Sequence, residues 1–151
     1  MSLHDEVELL RTIPLFANIE PSKLKLLAFT SERLTFRQGQ DLCRQGDMGD
    51  AAFIIIDGEA DVLVENGGKL TSVAKAGKHS VVGEIAILCD VPRTATVRAL
   101  SDVTVLRISK ELFFRLVREF PSMGLAIMRE LAARLDRTTS QLTRALGRIT
   151  E

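Results

Sequence analysis

The sequence predicts a mainly β fold with flanking helices: an eight-stranded antiparallel β-roll of the double-stranded jelly-roll type, preceded by short helices and followed by a long one. Three observations carry this prediction. Residues 31–109 break into short runs rich in Val, Ile, Thr and Phe. The runs are separated by Gly and Asp turns, with Asp57-Gly58 and Asn66-Gly67-Gly68 as the clearest hairpin signals, because tight hairpin turns need positive φ. On either side of this zone the apolar residues recur every three to four positions, the helical period. Many short strands without intervening helices favour a sandwich or roll over βαβ units.

The elements follow in chain order. Residues 4–29 read as helical, first through Val7, Leu9, Leu10 and Ile13, then, after a break at Pro14, Asn18 and Pro21, through Leu24, Leu26, Leu27 and Phe29. Pro21 opens its helix at no cost, since the first-turn N–H has no intrahelical partner. The strands are expected at Leu34–Arg37, Asp41–Arg44, Ala52–Ile56, Ala60–Glu65, Lys69–Ala74, His79–Val82, Thr94–Ala99 and Val103–Ile108. Lys110–Phe120 is amphipathic, with Leu112, Phe113, Leu116 and Val117 on one side, and Pro121 ends it. A longer helix then runs from about Met123 to Leu146.

That last helix carries a second pattern. Leu125, Met128, Ala132, Leu135, Thr139, Leu142, Leu146 and Ile149 alternate in steps of three and four, a heptad seam. Its first half suits packing on the β domain equally well. Beyond Leu135 the helix outruns so small a body, and pairing with a second copy, a homodimer through residues 123–149, is expected. The chain, 1–151, reads as a single unit: N-terminal helices over 1–30, the β-roll over 31–109 and C-terminal helices over 110–150.

Composition narrows the functions. Hydrophobic residues make up 46% and charged ones 26%, enough to bury a core without metals or disulfides. Twenty basic residues balance twenty acidic ones, which disfavours a dedicated nucleic-acid binder but leaves room for a small anion. Cys43 and Cys89, in no CxxC pattern, read as reduced thiols of a cytoplasmic protein. No segment has the apolar length to span a bilayer or the layout of a signal peptide, so no membrane partner is expected. His4 and His79 are far apart and give no metal site, and neither a P-loop nor a nucleophile elbow is present. No catalysis, cofactor or metal is expected.

The informative stretch is Val82-Gly83-Glu84-Ile85-Ala86 followed by Pro92-Arg93-Thr94-Ala95-Thr96-Val97. Gly83 permits a tight turn and close approach of a ligand to the backbone. From Glu84 the chain has room for about one helical turn, whose first amides lack partners and carry the positive end of the helix dipole. Arg93 adds a planar fork that can bond two phosphate oxygens. Free amides plus one guanidinium suit a phosphodiester monoanion. Glu84 would repel that anion unless it accepts from a sugar hydroxyl while Arg93 offsets its charge. Taken alone, Glu84 and Arg93 fit a surface ion pair capping a turn at least as well.

Together, however, these segments resemble the phosphate-binding cassette (residues 82–97) of the cyclic nucleotide-binding domain family, which includes catabolite activator proteins, regulatory subunits of cyclic AMP-dependent kinase and cyclic nucleotide-gated channels. Gly46-Asp47-Met48-Gly49-Asp50, Phe53-Ile54-Ile55 and Gly58 are similar to the family's upstream strand-turn-strand signature. The resemblance implies that Arg93 binds the exocyclic phosphate oxygens and that Glu84 accepts from the ribose 2′-OH. It further implies that Gly83, Ile85 and Ala86 offer amides and that Thr94 and Ala95 close the phosphate side. Val82 stands where relatives often carry Phe, and Cys89 falls in the variable loop. Thr94 can bond a guanine amino group, yet many relatives with Ser or Thr there take cyclic AMP. The ligand is expected to be cAMP, with cGMP second.

The resemblance thus implies a sensor or regulatory domain whose C-terminal helices close over the ligand, with Arg134, Leu135, Arg137 or Thr138 as candidate lid contacts. The alternative is the ligand-binding part of a catabolite activator-like transcription regulator, a channel or a kinase regulatory subunit. No length remains after the long helix for a helix-turn-helix, so this chain itself is not expected to bind DNA.

Overall fold

The computed structural model describes residues 2–13 and 16–150, without the side chains of Ile85, Ile149 and Thr150; the expected break at Pro14 and the seam position Ile149 fall outside that description. The chain runs through α1 (Leu3–Arg11), α2 (Pro21–Thr30), β1 (Glu32–Phe36), β2 (Asp41–Cys43), β3 (Ala51–Asp57), β4 (Ala60–Asn66), β5 (Lys69–Ala76) and β6 (Val81–Val82). It continues through α3 (Glu84–Cys89), β7 (Thr96–Ala99), β8 (Val103–Ser109), α4 (Lys110–Glu119) and α5 (Pro121–Thr150). Each of the eight expected strands has a counterpart.

The strands form two four-stranded sheets, ordered β1-β8-β3-β6 and β2-β7-β4-β5 and paired antiparallel throughout. The first sheet is covered on both faces. Phe53, Ile55, Val103 and Val105 pack between the sheets with Val97 and Ala99. Ala52, Ile54, Ile56, Leu106 and Ile108 point the other way, into a second core built with Leu10, Leu24, Leu27, Leu116 and Ile127 of the helices. This explains why β3 reads as an unbroken apolar run, Ala51 through Ile56 all buried, where a one-sided strand would alternate. At the other extreme β5, an edge strand, is exposed from Lys69 to Lys75, and its lysines discourage edge-to-edge pairing.

Local chemistry sets the helix ends. Ser2 and Asp5 form a reciprocal capping box on α1, and Ser109 accepts from the Leu112 N–H to start α4. Phe120 closes α4, and Pro121 occupies the first turn of α5, two residues ahead of the expected Met123 start.

Three strands are shorter than the sequence predicts, β2 by one residue at Arg44 and β6 and β7 by two each, the last two for identifiable reasons. His79 lies in the left-handed region (φ 77°) in a turn where Ser80 N–H donates to Gly77 O, so β6 begins only at Val81. Thr94 and Ala95 precede the β7 ladder, because Arg93 is tied back to the loop before β3: its N–H donates to Asp47 O (2.7 Å) and its C=O accepts from Gly46 N–H (2.9 Å). Among the described residues no helix is long and apolar enough to cross a membrane.

Candidate ligand-binding site

The site is the turn from β6 through α3 to β7. Gly83 enters it at φ 85°, a conformation disfavoured for residues with a Cβ, and a Cβ there would lie 2.3 Å from Arg93 Nη1. Ala86 and Ile87 anchor α3 inward, Ile87 in the helix-side core. Gly49, in the loop before β3, lets α3 approach so closely that a Cβ at Gly49 would sit 2.3 Å from Ala86 Cβ. Asp90, left-handed at φ 54°, ends α3 and meets Lys110 at 2.8 Å.

Arg93 is the unusual residue. It is only 6% exposed, yet the atoms that hold it are mostly neutral: Nη1 donates to Gly83 O (3.1 Å) and Nη2 to Ala51 O (2.7 Å), with the Phe53 ring 5.7 Å away. Its nearest carboxylate among the described residues, Asp50, lies at 3.9 Å and is largely exposed. A buried guanidinium with two carbonyls and one distant, hydrated anion is under-compensated, since burying charge is costly unless it is closely paired.

Glu84 is also buried, at 8%. Its partner is not the expected Arg93. Arg134 of α5 reaches across, placing Nη1 2.5 Å from Glu84 Oε1. Arg93 instead donates to the Gly83 and Ala51 carbonyls. The long helix is thereby latched to the cassette by one of the four candidate lid residues.

The groups share one cavity of about 170 Å³. Of the expected site residues, Val82, Gly83, Glu84, Ala86, Arg93, Thr94 and Ala95 line it; the side chain of Ile85 lies outside the described set. The remaining wall, Cys43, Val62, Val81 and Val97, was missed from sequence. Three of these form a row across the second sheet, with Val97 opposite both Cys43 and Val62 in register. Inward alternation on β2, β4 and β7 was the available signal, but the pairing that aligns the three is tertiary. Burial pushes the Cys43 thiol above its ordinary range, against a smaller opposite pull from Arg93, so the row presents a neutral, weakly polar surface.

Among the described residues no turn or loop hydrogen bond uses the N–H of Glu84, Ile85, Ala86, Thr94 or Ala95. The cavity therefore combines amide donors, a cation short of charge, one carboxylate acceptor and an apolar wall. That set can hold an anionic ligand bearing a hydroxyl and a flat or apolar portion.

Comparison with known proteins agrees. Residues 33–120 match the family model described as the cyclic nucleotide-binding domain. A cAMP-dependent protein kinase regulatory subunit of Blastocladiella emersonii is 32% identical over 109 residues, which is 72% of this chain and 27% of that protein. The chain thus spans about a quarter of that relative's length. Among solved structures, the catabolite activator protein of Thermus thermophilus superposes with TM-score 0.79 at 26% identity, covering 87% of this chain and 62% of that one. The N-terminal domain of a transcriptional regulator from Streptomyces coelicolor does so with TM-score 0.76 at 27% identity, covering 88% and 93%. Eight antiparallel strands, a glycine-entered cassette and a buried, charge-starved arginine lead to the same place as the family match: this chain belongs to the cyclic nucleotide-binding domain family.

Proposed function

We propose that the domain is a cytosolic sensor that binds cyclic AMP in preference to cyclic GMP and passes occupancy on through α4 and α5. The observation that carries the reading is Arg93, a buried cation whose nearest carboxylate among the described residues lies 3.9 Å away, on the wall of a cavity it shares with Gly83, Glu84 and Ala86. A ring-closed phosphate is a monoanion of the right size to complete it. Arg93 binds the exocyclic oxygens, Gly83, Ile85 and Ala86 donate from the backbone, and Thr94 and Ala95 close the phosphate side. Glu84 keeps one oxygen for Arg134 and offers the other to the ribose 2′-OH. Val82, Val62, Val97 and Cys43 flank the sugar.

At about 170 Å³ the cavity is smaller than the roughly 300–1,000 Å³ typical of whole-ligand pockets. The phosphate and ribose fill it, and the base emerges towards α5, beside Arg134. The Glu84–Arg134 latch gives occupancy a mechanical route out: a ligand that shares Glu84 changes how firmly α5 is held, and can shift that equilibrium only by its differential affinity for the two arrangements. The kinase-subunit relative supports cAMP; Thr94 offers a hydroxyl to guanine and is the term against it. No acid/base pair faces the ligand, since Arg93 cannot release a proton, so the reading is binding without catalysis.

The seam on α5 supports self-association. Leu135 and Leu142 are 67% and 59% exposed, and residues 135–148 are exposed throughout. Arg134, Arg137, Arg144 and Arg148 fall outside the seam positions, leaving its stripe free of basic residues. A second copy is the natural cover for it.

Calorimetric titration with cAMP, cGMP and 5′-AMP tests the ligand. We expect the order cAMP, cGMP, 5′-AMP from tightest to weakest. Absence of heat with both cyclic nucleotides would overturn the proposal, and a reversed cyclic order would overturn the base preference alone.

A further inference from the structure

We propose that a second groove, between α4 and the α2–β1 junction, binds an extended acidic segment of a protein partner. The groove measures about 620 Å³ and shares no lining residue with the nucleotide cavity. Its cationic side is formed by Arg107, Arg115 and Arg118, its floor by Leu112, and its rim by Glu32 and Glu111. Arg107 is already engaged, 3.6 Å from Glu32 and 3.2 Å from Asp50. Arg115 and Arg118 are different: both are exposed and, among the described residues, neither has an ion pair or side-chain hydrogen bond.

The chemistry of the occupant follows from spacing and charge. Arg115 and Arg118 stand one turn apart on α4, so their origins lie about 5–6 Å apart on one face. An extended chain sets alternate side chains on one side at roughly 6.5–7 Å. Two carboxylates two residues apart on a strand-like segment therefore meet both forks, each in the bidentate geometry that makes arginine–carboxylate pairs strong. Leu112 offers the same segment an apolar contact, and Phe29, one residue before the groove-lining Thr30, is 76% exposed. Aromatic residues and arginine are the types over-represented at interface hot spots. A compact polyphosphate fits less well. Three arginines against two glutamates leave a single net positive charge, and the glutamates would face phosphate oxygens, whereas a peptide can turn N–H groups towards them.

The experiment follows a fluorescein-labelled peptide of alternating glutamate and leucine by anisotropy with the full chain at low and physiological salt. Three proteins are compared: wild type, Arg115→Glu/Arg118→Glu, and Arg144→Glu/Arg148→Glu as a control for non-specific attraction to basic helices. We expect saturable binding by wild type and by the α5 control, and an affinity about tenfold weaker or worse in the α4 variant. Equal binding by wild type and the α4 variant, an equal loss in the α5 control, or displacement by tripolyphosphate at lower concentration than by unlabelled peptide would each overturn the proposal. Retention of the wild-type melting temperature shows that the α4 variant is folded. Because the readout needs no nucleotide, its failure and a failure of the cyclic-nucleotide reading are separate results.

Discussion

The cassette and the distal half of α5 treat charge and apolar surface in opposite ways. In the cassette two ionised side chains, Glu84 and Arg93, are almost fully withdrawn from water, and the residues around them are held by backbone bonds and glycine-permitted contacts. In distal α5 every residue from 135 to 148 is exposed, the leucines included, and the arginines fall outside the seam positions. A buried guanidinium whose nearest carboxylate is 3.9 Å away, and leucines as exposed as Leu135 and Leu142, are both unfavourable for an isolated molecule, and each points to a kind of partner. The first wants a small anion, the second another apolar helix. Arg134 is where the two regions meet, since it belongs to α5 by sequence and to the cassette by contact.

The largest expected effect breaks the α5 side of this comparison. Leu135→Asp with Leu142→Asp removes two seam side chains worth about 1.5–3 kcal/mol each when buried. Sizing chromatography should then show a monomer where the wild type elutes as a dimer; an unchanged volume would count against pairing. Next is Gly83→Ala, which puts a Cβ at φ 85° and 2.3 Å from Arg93 Nη1. The strain alone costs about 1–2 kcal/mol, and displacement of the guanidinium adds to it, so cAMP affinity should fall at least tenfold with a lowered melting temperature. Full affinity in this variant would mean that Arg93 does not need its observed seat.

Arg134→Ala sharpens the comparison at the meeting point. It strips a buried carboxylate of its partner, but the arginine is itself partly hydrated, so about 1 kcal/mol of stability should be lost in urea titration. No change would show that the latch is energetically silent. The smallest effect lies on the second sheet, at Asp41 of β2. Arg98, bonded to Asp41 at 2.8 Å, and Arg44, at 3.2 Å, hold the Asp41 carboxyl below the usual carboxylate range. A depressed carboxyl stabilises the fold above its unfolded-state value and loses that stabilisation as pH falls through the folded one. Asp41→Asn should therefore cost about 0.5–1 kcal/mol near neutral pH and nothing at strongly acid pH. A penalty independent of pH would assign the effect to packing instead.

How far the sequence revealed this depends on how local each feature is. The strands were legible because Gly and Asp turns punctuate apolar runs at close intervals, and the cassette because its residues lie within one short segment. Errors arose where a distant residue decides the matter. Thr94 and Ala95 look like strand until Arg93 is seen bonded to Asp47 and Gly46 across the loop. Glu84 and Arg93, nine residues apart, also fit an ion pair when taken alone, but two backbone carbonyls claim the arginine and a helix fifty residues away supplies the partner. Cys43, Val62 and Val97 were invisible as a wall because only sheet register makes them neighbours.

The measurement that bears most directly on the central claim is the calorimetric affinity for cAMP of Arg93→Ala against wild type. With the guanidinium gone the phosphate loses the cation assigned to it, and binding should weaken by about 2–5 kcal/mol while the domain remains folded. Equal affinity in the two proteins would contradict the account, because it would place the anion somewhere other than beside Arg93.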